Sequence, residues 1–475
     1  MLVALAVLLF STLILLLTWE QIVVQRISKG LHGPKWVLPF IGTLAPILNP
    51  YEFVVAAPQR EERDLWWSYF MGKFILFTKD ISLAKRIIKE QGTTFSAFVS
   101  FTSKQLFGSR TLTFFPKGDH DVLRRALGPI FTRRGVLTLL PAVEGNIRKH
   151  LRLWIDEREI TVAARATDLV FDFVTEAFLG NLSPAQTKSW RYKYHLVSKA
   201  ITAAPVNFPG TTYWRGAKAR QSLTQDMKPI VELAIKRADD GQEPTTIIEH
   251  WAKALIESKK ERLEDADIRQ VIEDNLVAFL FAGQDTSASA ISSMFARLSA
   301  NPDVLEKVRA EQTRVRPQRD EPITADAVNQ MKYTCQVVKE VLRLDSPAVT
   351  APVIAEREFK IKGLVFPKGT VVFPFFLPAL LDKGFVEPLK FDPNRFGLER
   401  REHALNAGNY LTFGVGPYRC LGNKLIEVVL TLTAAIAAMG AEWRRIPTVL
   451  GNKMTLDSTR RLADGCVIAI QAREA

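Results

Sequence analysis

The chain holds only three cysteines in 475 residues, Cys335, Cys420 and Cys466, so at most one disulfide can form. That excludes a small disulfide-stapled scaffold, and a reducing compartment suits the composition. No Pro/Gly/Ser-rich linker divides the body and no internal repeat recurs. There is also no Lys/Arg block interleaved with aromatics and no recognised nucleic-acid module. The net charge of +13 therefore argues for an anionic membrane, an acidic protein partner or a plain solvated basic surface, and against nucleic acid. A hydrophobic share of 47% with 24% charge argues against disorder as the main state. The 29 phenylalanines could line a wide apolar cavity, although core packing accounts for them equally well.

Residues 1–17 carry no charge, with Ser11 and Thr12 the only polar interruptions. This is about the minimum length for crossing a bilayer, and Ile22, Val23 and Val24 can extend it past Glu20. A cleaved signal peptide would open with basic residues and end in a small-x-small site. Here Arg26, Lys29 and Lys35 follow the run and none precedes it, which places the body on the cytosolic side. Trp19 suits the interface. His32-Gly33-Pro34 and Pro39 make a stiff, non-helical connection. The chain thus reads as a transmembrane signal-anchor (1–24), a proline/glycine hinge (25–45) and one large domain (46–475).

From about residue 80 to 300 the period is that of amphipathic helices, by the length and spacing rules. The break Pro205–Gly210, followed by the basic segment Tyr213 to Arg220, reads as a surface loop between two helices. After residue 350 β-branched runs such as Val365 to Phe373, around Pro367-Lys368-Gly369-Thr370, suggest short strands and turns. The expected fold class is mainly α with small β-sheets (α+β).

The strongest local signal is Phe413-Gly414-Val415-Gly416-Pro417-Tyr418-Arg419-Cys420-Leu421-Gly422, with an apolar helix-like stretch from Leu425 to Met439 after it. A lone cysteine is usually a buried hydrophobe. Glycines at this density, however, let a backbone wrap a cysteine, and a following helix N-terminus stabilises its thiolate. The ten-residue pattern resembles the haem-binding loop of the cytochrome P450 family. The resemblance implies haem b as cofactor, Cys420 as the axial ligand of its iron, and Phe413, Gly414, Tyr418 and Arg419 among its contacts.

Further pieces stand in the order that family requires. Glu340 and Arg343 lie three apart on one helix face, which alone is a common surface ion pair. Phe391-Asp392-Pro393-Asn394-Arg395-Phe396 resembles the family's meander motif, whose arginine joins that pair in a buried network. Residues 273–300 read as one helix, apolar on nearly all sides and closed by Asn301-Pro302. Its centre carries Ala282-Gly283-Gln284-Asp285-Thr286-Ser287, polar groups that are costly to bury without purpose. A helix kink or local hydrogen bonds would explain Thr286 alone. By resemblance, Ala282 and Gly283 leave room beside the haem, and Asp285 and Thr286 serve proton delivery. His120 and Arg124 stand one helical turn apart, either as a solvated basic face or, as the resemblance implies, as holders of a haem propionate.

Within the family, Pro205 to Arg220 resembles a loop of enzymes acting on sterols, steroids, retinoids and related terpenoids. Gly72-Lys73-Phe74, Lys104-Gln105-Leu106-Phe107-Gly108, His120 to Arg125 with Phe131-Thr132, Phe279-Leu280-Phe281 with Gln284-Asp285, and Phe413 to Gly422 together resemble the sterol 22-desaturase group. That resemblance implies a haem-thiolate monooxygenase of the endoplasmic reticulum membrane, fed electrons by NADPH-cytochrome P450 reductase, that desaturates a sterol side chain at carbons 22–23. Residues 95–115 and 347–353 match the family's substrate-contact regions. Alternatives are a sterol or terpenoid hydroxylase and a non-catalytic haem-binding sensor. Three departures stand out: Tyr418 replaces the usual His or Arg facing a propionate, Thr286 replaces a small apolar residue of the desaturase group, and Ile426 replaces a small residue after the cysteine loop.

Overall fold

The apolar and amphipathic runs form helices, and the β-branched runs form short strands. The computed structural model describes residues 2–474 apart from residues 40, 44–48, 50, 116, 260–266, 407 and 457–458. The described chain divides into two units. One gathers Met1–Phe98, Val349–Ala379 and Gly414–Tyr418, and the other Val99–Ala348, Leu380–Phe413 and Arg419–Ala475.

The first unit is built on a five-stranded sheet, in the order Leu65–Phe70, Lys73–Thr78, Val371–Pro374, Val353–Ala355, Phe95–Ala97. The hairpin at its edge turns at Met71 and Gly72, both with positive φ (50° and 72°), the signature of the tight turn that matches strand twist. Sequence reading missed this hairpin, although Trp66, Trp67, Tyr69 and Phe70 are strong strand formers. Trp66 stacks on Phe77 and Phe375 with ring centroids 5.4 and 5.8 Å apart, which fixes the sheet's packing face.

A 26-residue helix, Leu2–Ile27, precedes the sheet; at 1.5 Å per residue it is about 39 Å long. Its last turns are tied down. Tyr69 donates to Glu20 at 2.7 Å, Gln21 to the Val37 carbonyl at 2.6 Å and Gln25 to the Lys35 carbonyl at 2.9 Å. Burial, and then the bond to Glu20, push the Tyr69 hydroxyl pKa well up. Phe40, Leu44 and Ala45 of the expected hinge lie outside the described residues. The rest of the hinge is bonded to the sheet, with the Trp67 amide donating to the His32 carbonyl at 2.9 Å and Met71 to Ile41 at 3.0 Å.

The second unit is mostly helical. Its centre is Ile268–Ala300, five residues longer at its start than the apolar run suggested, because the Asp267 carboxylate caps the amides of Arg269 and Gln270. Asn301-Pro302 ends it as expected. The loop after Pro205 is shorter than the sequence reading: Thr211 caps a helix over Thr212–Asp239, so Tyr213 to Arg220 is helical and Tyr213 is buried. The reason is the capping hydroxyl, which accepts from the Trp214 amide at 3.3 Å and outweighs the loop-like texture before it. Among the described residues, one helix is long and apolar enough to cross a membrane, Asn423–Gly440; it is 72% buried inside the protein and is a core element.

Candidate active site

Cys420 lies just before that core helix. Its amide donates to the Phe413 carbonyl at 2.9 Å, and Gly422 caps the helix. Gly414 has φ +68°, a conformation that glycine adopts without strain. Cys466 is fully buried and Cys335 partly so, whereas Cys420 is exposed. Burial nevertheless pushes the Cys420 thiol pKa up, against the Gly422 amide and the charges of Arg124 and Arg419, which pull it down. A side chain both accessible and desolvated lines a recess rather than a convex surface. A single thiol with an amide donor and two guanidiniums nearby suits a metal-bound thiolate, the cation supplying what burial opposes.

The central helix shows a related exposure. Ala282 is exposed midway along a helix buried on both sides of it. Thr286 donates its hydroxyl to the Ala282 carbonyl at 2.7 Å, so these two residues share a face. A Cβ on Gly283 would meet Val174 Cγ2 at 3.7 Å, an ordinary contact, which aims Gly283 at the helix Val162–Leu179. Asp285 points elsewhere again: Ser198 donates to its Oδ2 at 3.4 Å from the helix Pro184–Ile201. Tyr194 and His195 on that helix feel its charge. Adjacent in sequence, Asp285 and Thr286 are about 100° apart around the helix. Sequence reasoning named both but missed Ser198, whose signal is only its place on a facing helix.

His120 and Arg124 lie on Lys117–Leu127 and differ in surroundings. Arg124 reaches the cysteine loop, donating to the Arg419 carbonyl at 2.5 Å. His120 is 2% exposed, with Nδ1 3.4 Å from Asp121; burial holds its pKa below the ordinary value. Arg419 itself is exposed. Phe413 and Ile426 pack against the core. Tyr418 is partly exposed and, with Gly414, belongs to the sheet-bearing unit.

Glu340, Arg343 and Arg395 are each fully buried. Glu340 accepts from Arg343 Nε at 2.7 Å and from Arg395 Nε at 3.0 Å, and also takes the Asp392 amide at 3.0 Å. Arg343 continues to the Leu380 carbonyl and Arg395 to Glu402, at 2.8 and 2.7 Å. The guanidinium of Arg343 lies 5.1 Å over the Phe385 ring. Charges this deep persist only when fully paired. The surface ion-pair reading of Glu340 and Arg343 is thereby excluded.

The fold has a close counterpart in the retinoic acid-bound cyanobacterial CYP120A1, which matches 92% of this chain and 98% of its own at a TM-score of 0.81 and 22% identity. The family model for cytochrome P450 matches residues 31–436. The chain belongs to the cytochrome P450 family and is a monooxygenase-type oxidoreductase that binds haem b. One relative is the probable cytochrome P450 524A1 of Dictyostelium discoideum, 31% identical over 96% of this chain and 85% of its own length. Another is the C-22 sterol desaturase erg5 of Aspergillus fumigatus, 26% identical over 94% of this chain and 89% of its own length.

Proposed function

We propose that the protein desaturates a sterol side chain at carbons 22–23. The observation that carries this reading is the near full-length similarity to a C-22 sterol desaturase, together with the desaturase-like segments around Gly108 and Phe281. Residues 46–475 form the catalytic domain and 1–24 a single-pass anchor in the endoplasmic reticulum membrane, with 25–45 as the hinge. Leu15 and Trp19, exposed one helical turn apart, suit lipid contact. Electrons come from NADPH through a reductase, and the net charge of +13 suits an acidic docking partner.

Cys420 would hold the haem iron through its thiolate. Phe413, Gly414, Tyr418 and Arg419 belong to its loop, and Ala282 and Gly283 to the helix beside the cofactor. Of the two candidates for a propionate, Arg124 is the better placed. It already bonds the Arg419 carbonyl, while His120 is buried against Asp121. When bound, haem supplies dioxygen activation and oxidation of the side chain. The chain's own residues position substrate and handle protons. Asp285 Oδ2 accepts a hydrogen bond from the Ser198 hydroxyl; Thr286, its own hydroxyl proton donated to the Ala282 carbonyl, is left to accept from water.

Reconstitution with a reductase, NADPH and a 22-saturated sterol such as cholesterol in phospholipid vesicles tests the reading. A 22-unsaturated product is expected; only hydroxylated sterol would favour the hydroxylase, and no NADPH consumption the haem sensor. Thr286→Ala should sustain NADPH consumption while product per NADPH falls several-fold and peroxide rises. The same coupling in variant and wild type would remove Thr286 from proton handling. The hydroxylase reading has one observation in its favour, the Thr286 hydroxyl set on the same face as the exposed Ala282.

A further inference from the structure

The segment Leu106–Leu112 is held by buried polar groups that the proposed chemistry does not use. Asp274 on the central helix accepts from the Arg110 amide and from Arg220 Nη2, each at 3.0 Å. Arg220, from the helix Thr212–Asp239, also donates to the Leu106 carbonyl at 2.8 Å. Next along the central helix, Asn275 accepts from the Leu112 amide at 2.7 Å and donates to the Arg110 carbonyl at 2.8 Å. Asp274 is 7% exposed and Asn275 fully buried. Gly108 completes the fit, because with φ +98° a Cβ there would lie 2.1 Å from the Asp274 carboxyl. The Gly108 of the sequence segment is thus explained by the carboxylate seated against it.

The segment so held carries one half of an aromatic wall, Phe107, whose other half, Phe281, stands on the central helix. Phe107 packs on Phe281 with ring centroids 5.1 Å apart. With Leu106, Ile201 and Tyr213 it forms an apolar cluster separate from the main core, which Ala278 and Phe114 join. Asp274 and Phe281 are seven residues apart, on one face of the helix. Asp274 is eight residues, about 12 Å, from the exposed Ala282. Burying an ion pair costs more than packing apolar groups there and is best justified by the register it fixes.

We infer that the Arg220–Asp274 pair is a positioning clamp that fixes Leu106–Leu112, and with it the Phe107–Phe281 wall, against the central helix, and so governs how an apolar substrate is held. The inference rests on the monooxygenase assignment and deepens the sterol reading by naming the wall that would grip the substrate. No clamp residue touches the reacting atoms.

Hydrogen exchange on the holoenzyme tests the contact without any substrate. The Arg110 and Leu112 amides should exchange as slowly as those of the central helix; exchange at the rate of exposed loops would overturn the clamp. In Arg220→Lys, which keeps the charge but loses the planar fork, exchange over residues 106–112 should rise at least tenfold. The helix Asn423–Gly440 and the reduced carbon-monoxide spectrum should be unchanged. Turnover with cholesterol should then show KM raised several-fold, kcat changed less than twofold, and altered product proportions. Unchanged exchange, or a parallel loss of kcat and spectrum, would refute a positioning role. If Arg220→Lys does not fold, Asp274→Asn, which keeps an acceptor for the Arg110 amide, gives the same comparison. Should wild type yield only hydroxylated sterol, the desaturase reading fails while the exchange result still decides the clamp.

Discussion

At residue scale, the most committed group is Glu340, which serves two arginines and a main-chain amide while itself fully buried. Glu340→Gln leaves the Arg343 guanidinium without its counter-charge and Arg395 with Glu402 alone, and breaking a buried pair costs about 3–5 kcal/mol. We predict a large drop in melting temperature and a reduced yield of haem-loaded protein; a melt within 2 °C of wild type, as a rough threshold for a domain of this size, would sink it. The edge of the same network titrates. Burial raises the Glu402 pKa, but bonds from Arg400 and Arg395 outweigh it and hold the group below its ordinary 4.5. A carboxylate depressed in the folded state contributes stability above its unfolded value, lost as pH falls through the folded one. Thermal stability should therefore fall on acidification from 4.5 downward, and less steeply in Glu402→Gln; parallel curves would count against this. The three-residue spacing of Glu340 and Arg343 could not give their burial, because it is the same on a surface helix as on a buried one; the family resemblance, which joins them to Arg395 in a buried network, did. Thr286 and Asp285 were legible as polar intrusions, while their divergent directions came only from the helices packed around them.

At element scale, the first helix shows where sequence pattern and structure part. The apolar run suggests a membrane segment that could extend through Val24, yet Glu20, Gln21 and Gln25 bond to the chain that follows and Val24 is 2% exposed. These turns pack against protein, so the lipid-facing part is expected to end near Trp19. Two truncations separate the roles. Removing residues 2–19 should release the protein from membranes in a flotation assay with little change in melting temperature. Removing residues 2–27 should also lower that temperature by several degrees, since it deletes two half-buried hydrogen bonds and one exposed one, each worth roughly 0.5–1.5 kcal/mol. Equal stability of the two truncations would show that the contacts contribute nothing. The missed hairpin at Met71-Gly72 and the shortened loop before Thr212 have a common cause. Each is set by a turn or cap of one or two residues, a weaker signal than the fifteen-residue periodicity that made the long helices readable.

For the whole molecule, the spacing of the cysteine loop, the Arg395 motif, the Glu340 pair and the central helix implied one large family fold, and the chain has it. What spacing could not convey is the division into two units, since each is assembled from segments far apart in sequence. That division locates the effect of the cofactor. Every residue assigned to haem or proton handling lies in the helical unit, apart from Gly414 and Tyr418. A ligand that binds only the folded state stabilises it by mass action, about 4 kcal/mol when present at a thousand times its dissociation constant. Haem-free protein should therefore melt well below holoprotein, and added hemin should restore the difference. Hydrogen exchange should show protection returning to residues 268–300 and 423–440 more than to the sheet strands 65–78. Cys420→Ala, lacking the metal ligand, should recover less of the melting temperature and none of the thiolate carbon-monoxide spectrum. Full recovery of that spectrum in Cys420→Ala would place the iron's protein ligand elsewhere, with neither fully buried Cys466 nor half-buried Cys335 matching the accessible, helix-capped position that makes Cys420 the candidate.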